Sequence, residues 1–136
     1  MIVTDWFYCN QYQELVNTGR DGKKARKNGL ILSSVCFTLN VMTVVYLLSW
    51  AGDLLWTSFD DIETYASGKT LGEAIGLLLI IAFYLLLKYT RGSEAYFHKV
   101  IERYRGLSEV DQKDISKKAY IYMFGSIIAM MICIFL

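Results

Sequence analysis

The stretch Leu30–Ala51, LILSSVCFTLNVMTVVYLLSWA, contains 22 residues and no charged side chain. As an α-helix it would be roughly 33 Å long, and the hydrocarbon core of a bilayer is about 30 Å thick. A run this long and apolar is typical of a transmembrane helix rather than of a core helix in a soluble domain. The stretch therefore predicts an integral membrane protein, and we expect an all-α membrane protein folded as a single domain.

Two further apolar blocks follow. Ala119–Leu136 has 18 uncharged residues, which is enough for one more span. The block Leu71–Leu87 is interrupted by Glu73, and the 14 uncharged residues that remain could equally form a re-entrant or interfacial segment. We predict three transmembrane helices, at residues 30–51, 71–88 and 119–136.

The distribution of charge supports three spans rather than two. Basic residues concentrate in segments 1–28 and 89–118, whereas loop 52–70 contains one lysine, Lys69, and four acidic residues. Three spans place both basic segments on one side of the membrane, as the positive-inside rule requires. We therefore predict a cytoplasmic N-terminus, an external acidic loop 52–70, an external C-terminus, and Glu73 near the outer interface.

A cleaved secretory signal is the competing interpretation of the first block, since Ser49-Trp50-Ala51 loosely resembles a cleavage site. Signal peptides have apolar regions of about 7–15 residues behind a short basic segment. Both the apolar block and the segment that precedes it are longer here. We expect an uncleaved span.

The cytoplasmic segments are predicted to be helical. Thr4 or Asp5 can cap an N-terminal amphipathic helix, and Trp6 and Phe7 form an aromatic edge suited to the headgroup region. Its apolar face consists of Tyr8, Tyr12, Leu15 and Val16. The Gly19–Gly22 stretch, followed by Asn28-Gly29, is predicted to separate this helix from the first span.

A second amphipathic helix is predicted between the second and third spans. Ser93 opens it, Gly106 ends it, and its apolar positions follow helical spacing: Phe97, Val100, Ile101 and Tyr104. Ser108-x-x-Asp111 is a weak capping box. It predicts a further helix that continues through Lys117 and Lys118 into the third span.

Asn40 is the one strongly polar side chain in the middle of the first span. It shares a helix face with Ser33, Cys36 and Thr43. Because an amide in hydrocarbon needs a hydrogen-bonding partner, this face should point into a helix contact. The alternative is a role in lining a pore or contacting a ligand.

Small residues at a spacing of four mark the other two spans. They are Gly72-x-x-x-Gly76 in the second span and Gly125 with Ala129 in the third, where Tyr122 extends the same face. Such faces let helix backbones approach closely. We expect them to hold this bundle together, and the alternatives are a homo-oligomer or a foreign helix. Glu73 is expected to reach towards water near Lys69, with ion handling as the alternative.

Nothing in the sequence indicates catalysis. The single histidine, His98, lies between Glu94 and Glu102 on the polar face of its predicted helix, where a solvated charge ladder is the ordinary interpretation. Catalytic and nucleotide-binding motifs are absent, and the three cysteines have no metal-binding spacing. We predict no enzyme activity, no cofactor and no metal.

The net charge is +1, and the basic cluster Arg20–Lys27 adjoins a span, where its expected role is orientation. We therefore expect no nucleic-acid partner, and no small-molecule substrate is indicated. The expected partners are the lipid bilayer and either a membrane protein or further copies of the chain.

Three features carry a resemblance to a known group. They are the aromatic and basic N-terminal segment, the first-span pattern with Ser33, Ser34, Leu39 and Asn40, and the stretch Tyr96-Phe97-x-x-Val100-Ile101-Glu102-Arg103-Tyr104. In these the chain resembles a group of small, largely uncharacterised bacterial three-span inner-membrane proteins. It lacks the proline found at the start of the first span in that group. The resemblance implies the architecture and a bacterial source, and no activity.

We expect an inner-membrane protein that acts through protein–protein contacts, as an immunity or accessory partner of a larger membrane-acting protein such as a secreted toxin. Two other classes stay open. One is a homo-oligomeric pore or membrane-disrupting effector, with Asn40 and Thr43 facing a lumen. The other is a small subunit of a transporter or respiratory complex.

Overall fold

The computed structural model describes residues 1–55 and 68–135, with side chains for residues 1–51 and 74–135. Five α-helices account for all regular structure in these ranges: α1 (Val3–Asn17), α2 (Lys24–Leu55), α3 (Gly68–Arg91), α4 (Glu94–Arg105) and α5 (Glu109–Phe135). Most of the predicted acidic loop, including Asp60, lies outside the described residues, as do the side chains of Gly72 and Glu73.

Three helices are long and apolar enough to cross a membrane. Their candidate spans are Lys24–Ala51 in α2, Ala74–Arg91 in α3 and Glu109–Phe135 in α5. In each case the helix continues beyond the apolar block into polar sequence, because backbone hydrogen bonding does not stop where hydropathy falls. The helix predicted to run through Lys117 and Lys118 into the third span is present as α5.

The ends of α1 differ in part from the prediction. α1 begins at Val3, and the Asp5 carboxylate accepts a 3.1 Å hydrogen bond from the Ile2 backbone N–H, so Asp5 caps the helix from within its first turn. Thr4 does not cap α1, since it lies inside the helix and is fully buried. The C-terminal end is a Schellman motif, with Gly19 in the left-handed conformation at φ +68°.

The break predicted at Gly19–Gly22 separates α1 from α2, but the break predicted to follow at Asn28-Gly29 is wrong. α2 begins at Lys24, so both residues lie within it, and the chain turns back between α1 and α2 in the 18–23 stretch. Gly29 is buried against α1, where its lack of a side chain is needed for close packing rather than for a turn.

α1 lies at the centre of the described structure, antiparallel to α2 and in contact with α4 and α5. Phe7, predicted at the headgroup region, is 1% exposed and packs with Cys36 and Ala119. Val16, predicted on the apolar face, is 49% exposed. The prediction assumed one buried face, whereas α1 has protein neighbours on several sides.

α4 begins and ends as predicted. The Ser93 side chain accepts a 3.2 Å hydrogen bond from the Tyr96 backbone N–H, and Gly106 is the C-terminal cap. Its four apolar positions are buried, and they pack in the same cluster as Tyr8 and Leu15 of α1. The helix is therefore covered by protein along this face.

Among the long helices, α2 is the middle one and packs against both α3 and α5. The halves of these helices that lie away from α1 are sparsely covered. Large apolar side chains such as Leu48 in α2, Leu78 in α3 and Ile132 in α5 are more than half exposed. A water-soluble fold would bury such surface, so these faces require lipid or another apolar partner.

Candidate functional site

Asn40 and Tyr122 form a polar contact between α2 and α5. The Asn40 side-chain nitrogen donates a 2.6 Å hydrogen bond to the Tyr122 hydroxyl. The Tyr122 ring makes edge-on aromatic contacts with Phe7 of α1 and Phe37 of α2, at centroid distances of 6.2 and 6.5 Å. Two of the predicted packing residues are thus brought together, and α1, α2 and α5 meet around them.

The other predicted polar residues of the first span are satisfied locally. The Ser33 hydroxyl donates a 2.8 Å hydrogen bond to the Gly29 carbonyl, and Ser33 is fully buried. The Thr43 hydroxyl donates a 2.8 Å bond to the Leu39 carbonyl and lies 3.8 Å from the Met130 sulfur. Because each hydroxyl is hydrogen-bonded within its own helix, these small side chains can lie at helix contacts without another polar partner.

A small-residue face that the sequence analysis missed joins α1 to α2. It consists of Ala25, Gly29 and Ser33, spaced by four residues, and all three are buried. A Cβ added at Gly29 would lie 2.6 Å from Cδ1 of Tyr8 and 3.2 Å from its backbone nitrogen. The small-xxx-small spacing was present in the sequence, but the Asn-Gly pair inside it was interpreted as a turn.

The predicted glycines of the second and third spans lie differently. A Cβ added at Gly76 or at Gly125 would meet no atom of the described residues within 4 Å. Gly125 is exposed, and Gly76 and Ala129 are partly exposed. Within the described residues, these two glycines therefore make no close helix approach. Gly72 and Glu73 belong to α3, but what surrounds them lies outside the described side chains.

A polar network joins α1 to the junction between α3 and α4. The Tyr96 hydroxyl donates a 2.9 Å hydrogen bond to the buried Asp5 carboxylate and accepts one of 2.6 Å from Arg91. The Tyr8 hydroxyl donates a 3.1 Å bond to the Arg91 carbonyl. Arg26 of α2 donates a 3.2 Å bond to the Gly92 carbonyl. Charge-assisted bonds of this kind compensate for burying Asp5.

A second set of polar contacts holds the other half of α1. The Gln13 side-chain oxygen accepts hydrogen bonds from Tyr104 of α4, at 2.8 Å, and from Ser116 of α5, at 2.7 Å. The Tyr120 hydroxyl of α5 donates to the Glu14 carboxylate. Hydrogen bonds from α1 side chains therefore reach α4 and α5 as well as the α3–α4 junction.

Burial raises the pKa of two groups of α1, the Cys9 thiol and the Tyr8 hydroxyl. Desolvation, reinforced by the nearby Asp5 carboxylate, raises the pKa of the Cys9 thiol to about 12 and raises the pKa of Tyr8 well above its usual range. Burial and the hydrogen bond to Asp5 also raise the pKa of Tyr96. A neutral, buried thiol is a poor nucleophile, so Cys9 serves packing.

His98 lies on the exposed side of α4, with its Nε2 atom 3.7 Å from a Glu94 carboxylate oxygen. Within residues 1–51 and 74–135, histidine, cysteine, aspartate and glutamate side chains form no group of three that could hold a metal ion. What the described geometry can do is join helices through buried polar contacts and present uncovered apolar faces.

Comparisons with known proteins do not extend this description: no family model, no curated protein and no solved structure matches the chain.

Proposed function

We propose that this chain is a membrane interaction protein, in which a well-packed base holds three spans whose outer halves contact another membrane protein. The base consists of α1, α4, the beginnings of α2 and α5, and the end of α3. The observation that carries the proposal is the contrast along α5: Ala119 near the base is buried, whereas Gly125 and Ile128 are exposed. A glycine exposed on a span permits the close approach of a second helix.

The proposed orientation places the base in the cytoplasm and the ends of α2 and α5 outside. Apart from Lys69, every lysine and arginine of the chain belongs to the base or to its connecting turns. The Tyr8 hydroxyl of α1 donates a hydrogen bond to the Arg91 carbonyl, and Gln13 of α1 accepts hydrogen bonds from Tyr104 and Ser116. These bonds support the grouping of the segments at one end. The positive-inside rule then favours this end in the cytoplasm. We propose a bacterial inner membrane from the resemblance given in the sequence analysis.

Within this class we propose an immunity or accessory role towards a larger membrane-acting protein. The described residues form a packed base and spans with uncovered faces, and they include no separate soluble domain. This arrangement supports a role through contacts with another membrane protein. A homo-oligomeric pore is less well supported, because Asn40 is paired with Tyr122 and Thr43 with its own helix. Those side chains are directed into contacts within the chain rather than towards a lumen.

Photo-crosslinking in the native membrane tests the proposal. A benzophenone side chain at Ile128 would sample the uncovered face of α5 beside Gly125, and one at Leu78, which is 66% exposed, would sample the outer half of α3. We expect a discrete adduct from Ile128. A benzophenone side chain at position 97 is the matched control. Phe97 of α4 is buried against α1, so this position should yield no intermolecular adduct.

The mass of the adduct distinguishes the classes. An adduct of twice the chain's 15.6 kDa would indicate a homo-oligomer, and any other discrete mass would indicate a different membrane protein. Single-channel recording of the purified chain would then separate a pore from a packing partner. Absence of a discrete adduct at both exposed positions would contradict the proposal.

A further inference from the structure

A cavity of about 200 Å³ lies between α1 and α4. Its lining residues are Met1, Asp5, Tyr96, Lys99, Val100 and Arg103. Pockets that hold drug-sized molecules are usually larger, at about 300–1,000 Å³. This volume suits a small group with few heavy atoms, and most of the side chains around it are polar or charged.

Two cationic side chains border the cavity. Lys99 and Arg103 are four residues apart, which places them one above the other on the same face of α4. In the part of the chain whose side chains are described, neither forms an ion pair within 4.0 Å. Paired lysine and arginine side chains are well suited to a phosphate, because both donate charge-assisted hydrogen bonds to its oxygens.

The third charged side chain in the lining is the carboxylate of Asp5. It accepts hydrogen bonds from the Ile2 backbone N–H at 3.1 Å and from the Tyr96 hydroxyl at 2.9 Å. A carboxylate has about four acceptor positions, so it retains capacity for another donor. The cavity is therefore lined by two cations that can bind an anion, Lys99 and Arg103, and by one carboxylate that can accept a hydrogen bond, Asp5.

The cavity lies beside the end of α3. Arg91 donates a 2.6 Å hydrogen bond to the hydroxyl of Tyr96, which lines the cavity. Arg91 is four residues beyond Leu87, the last residue of the apolar run in α3, which corresponds to about 6 Å along the helix. With α3 crossing the membrane as proposed above, this distance corresponds to the headgroup region of a bilayer, where lipid phosphates are found.

We propose that this cavity binds the headgroup of a phospholipid that carries both a phosphate and a primary ammonium. The phosphate contacts Lys99 and Arg103, and the ammonium donates to Asp5. The bound headgroup would contact α1 and α4 together, and so would stabilise the packing of the base.

Native mass spectrometry of the full chain in detergent tests the proposal by lipid titration. We expect phosphatidylethanolamine to bind more tightly than phosphatidylcholine, whose quaternary nitrogen donates no hydrogen bond, and than phosphatidylglycerol, which has no ammonium. The double variant Lys99→Gln, Arg103→Gln should weaken phosphatidylethanolamine binding about tenfold or more. Both positions are exposed, so this variant is expected to fold.

Lys113→Gln, Lys117→Gln is the matched control, because these exposed lysines of α5 have the same spacing and charge but do not line the cavity. The affinity of this control variant for phosphatidylethanolamine should change less than twofold. Equal losses in both double variants, or no loss in the first, would overturn the proposal.

Soluble phosphoethanolamine that binds as tightly as the lipid would overturn the lipid source. Asp5→Asn should abolish the preference over phosphatidylglycerol, and an unchanged preference in the folded variant would contradict the ammonium contact.

Discussion

The side-chain amide of Asn40 is hydrogen-bonded at 2.6 Å to the hydroxyl of Tyr122, a residue 82 positions further along the chain. This bond provides Asn40 with the partner that an amide needs in an apolar environment. It also connects α2 to α5 beside the Phe7 ring of α1. The pair therefore lies where the packed base meets the sparsely covered outer halves of the spans.

Asn40→Leu and Tyr122→Phe should each weaken the α2–α5 contact. Interhelical hydrogen bonds in membrane proteins contribute about 0.6 kcal/mol on average, so we expect losses of roughly 0.5–2 kcal/mol. In a double-mutant cycle measured by unfolding in mixed micelles, the two changes should be non-additive. Thr90→Val is the control, since Thr90 is exposed and bonds only to the Leu86 carbonyl of its own helix. Strictly additive losses would show that Asn40 and Tyr122 have no interaction free energy with each other.

Gly29→Ala should destabilise the base, whereas Gly125→Ala should not. A Cβ at Gly29 would lie 2.6 Å from the Tyr8 ring, so α1 must shift, at a cost of about 1–3 kcal/mol. At Gly125 a Cβ meets nothing within 4 Å, and the change should be neutral or stabilising by up to about 1 kcal/mol. Thermal unfolding in detergent measures both, and equal effects would contradict the assigned α1–α2 contact.

The stability of the base should fall at high pH through Cys9. Its pKa is about 12 in the folded chain against an ordinary value of 9.0, so the folded state retains a proton that the unfolded state loses. The contribution is complete below pH 9 and is lost as the pH rises towards 12. One such group changes the free energy of unfolding by about 1.4 kcal/mol per pH unit. Denaturant titrations from pH 7 to 11 should give a shallower decline for Cys9→Ala, and identical slopes would refute this account.

The orientation can be tested by labelling whole cells with a membrane-impermeant maleimide. A cysteine at position 60 should be modified, and a cysteine at position 113 should react only after the cells are opened. Both cysteines are introduced into a Cys133→Ser chain, which is also the background control, because Cys9 and Cys36 are buried whereas Cys133 is only partly buried near the end of α5. The reverse labelling pattern would mean that the base, with its lysines and arginines, lies outside the cytoplasm.

Local signals predicted much of the helical architecture. The Ser93 cap and the Gly106 stop bound α4 as expected, because both act through the backbone of neighbouring residues. The pairing of Asn40 with a partner followed from the cost of an unsatisfied amide, although the partner's identity did not. The helix break predicted at Asn28-Gly29 was wrong, because a glycine that breaks an exposed helix can also allow two helices to pack closely.

The sequence by itself determined that the chain is helical with three apolar segments long enough to cross a membrane, and where its basic residues concentrate. Hydropathy, helix length and charge are properties of contiguous residues, so no knowledge of distant contacts is needed to find them. Only the tertiary structure decided that α1 is buried at the centre. Its position depends on partners far along the chain, such as Tyr96 for Asp5 and Tyr104 for Gln13, each 91 residues away. The burial of polar side chains such as these is favourable only when their hydrogen-bonding partners are brought to them by the fold.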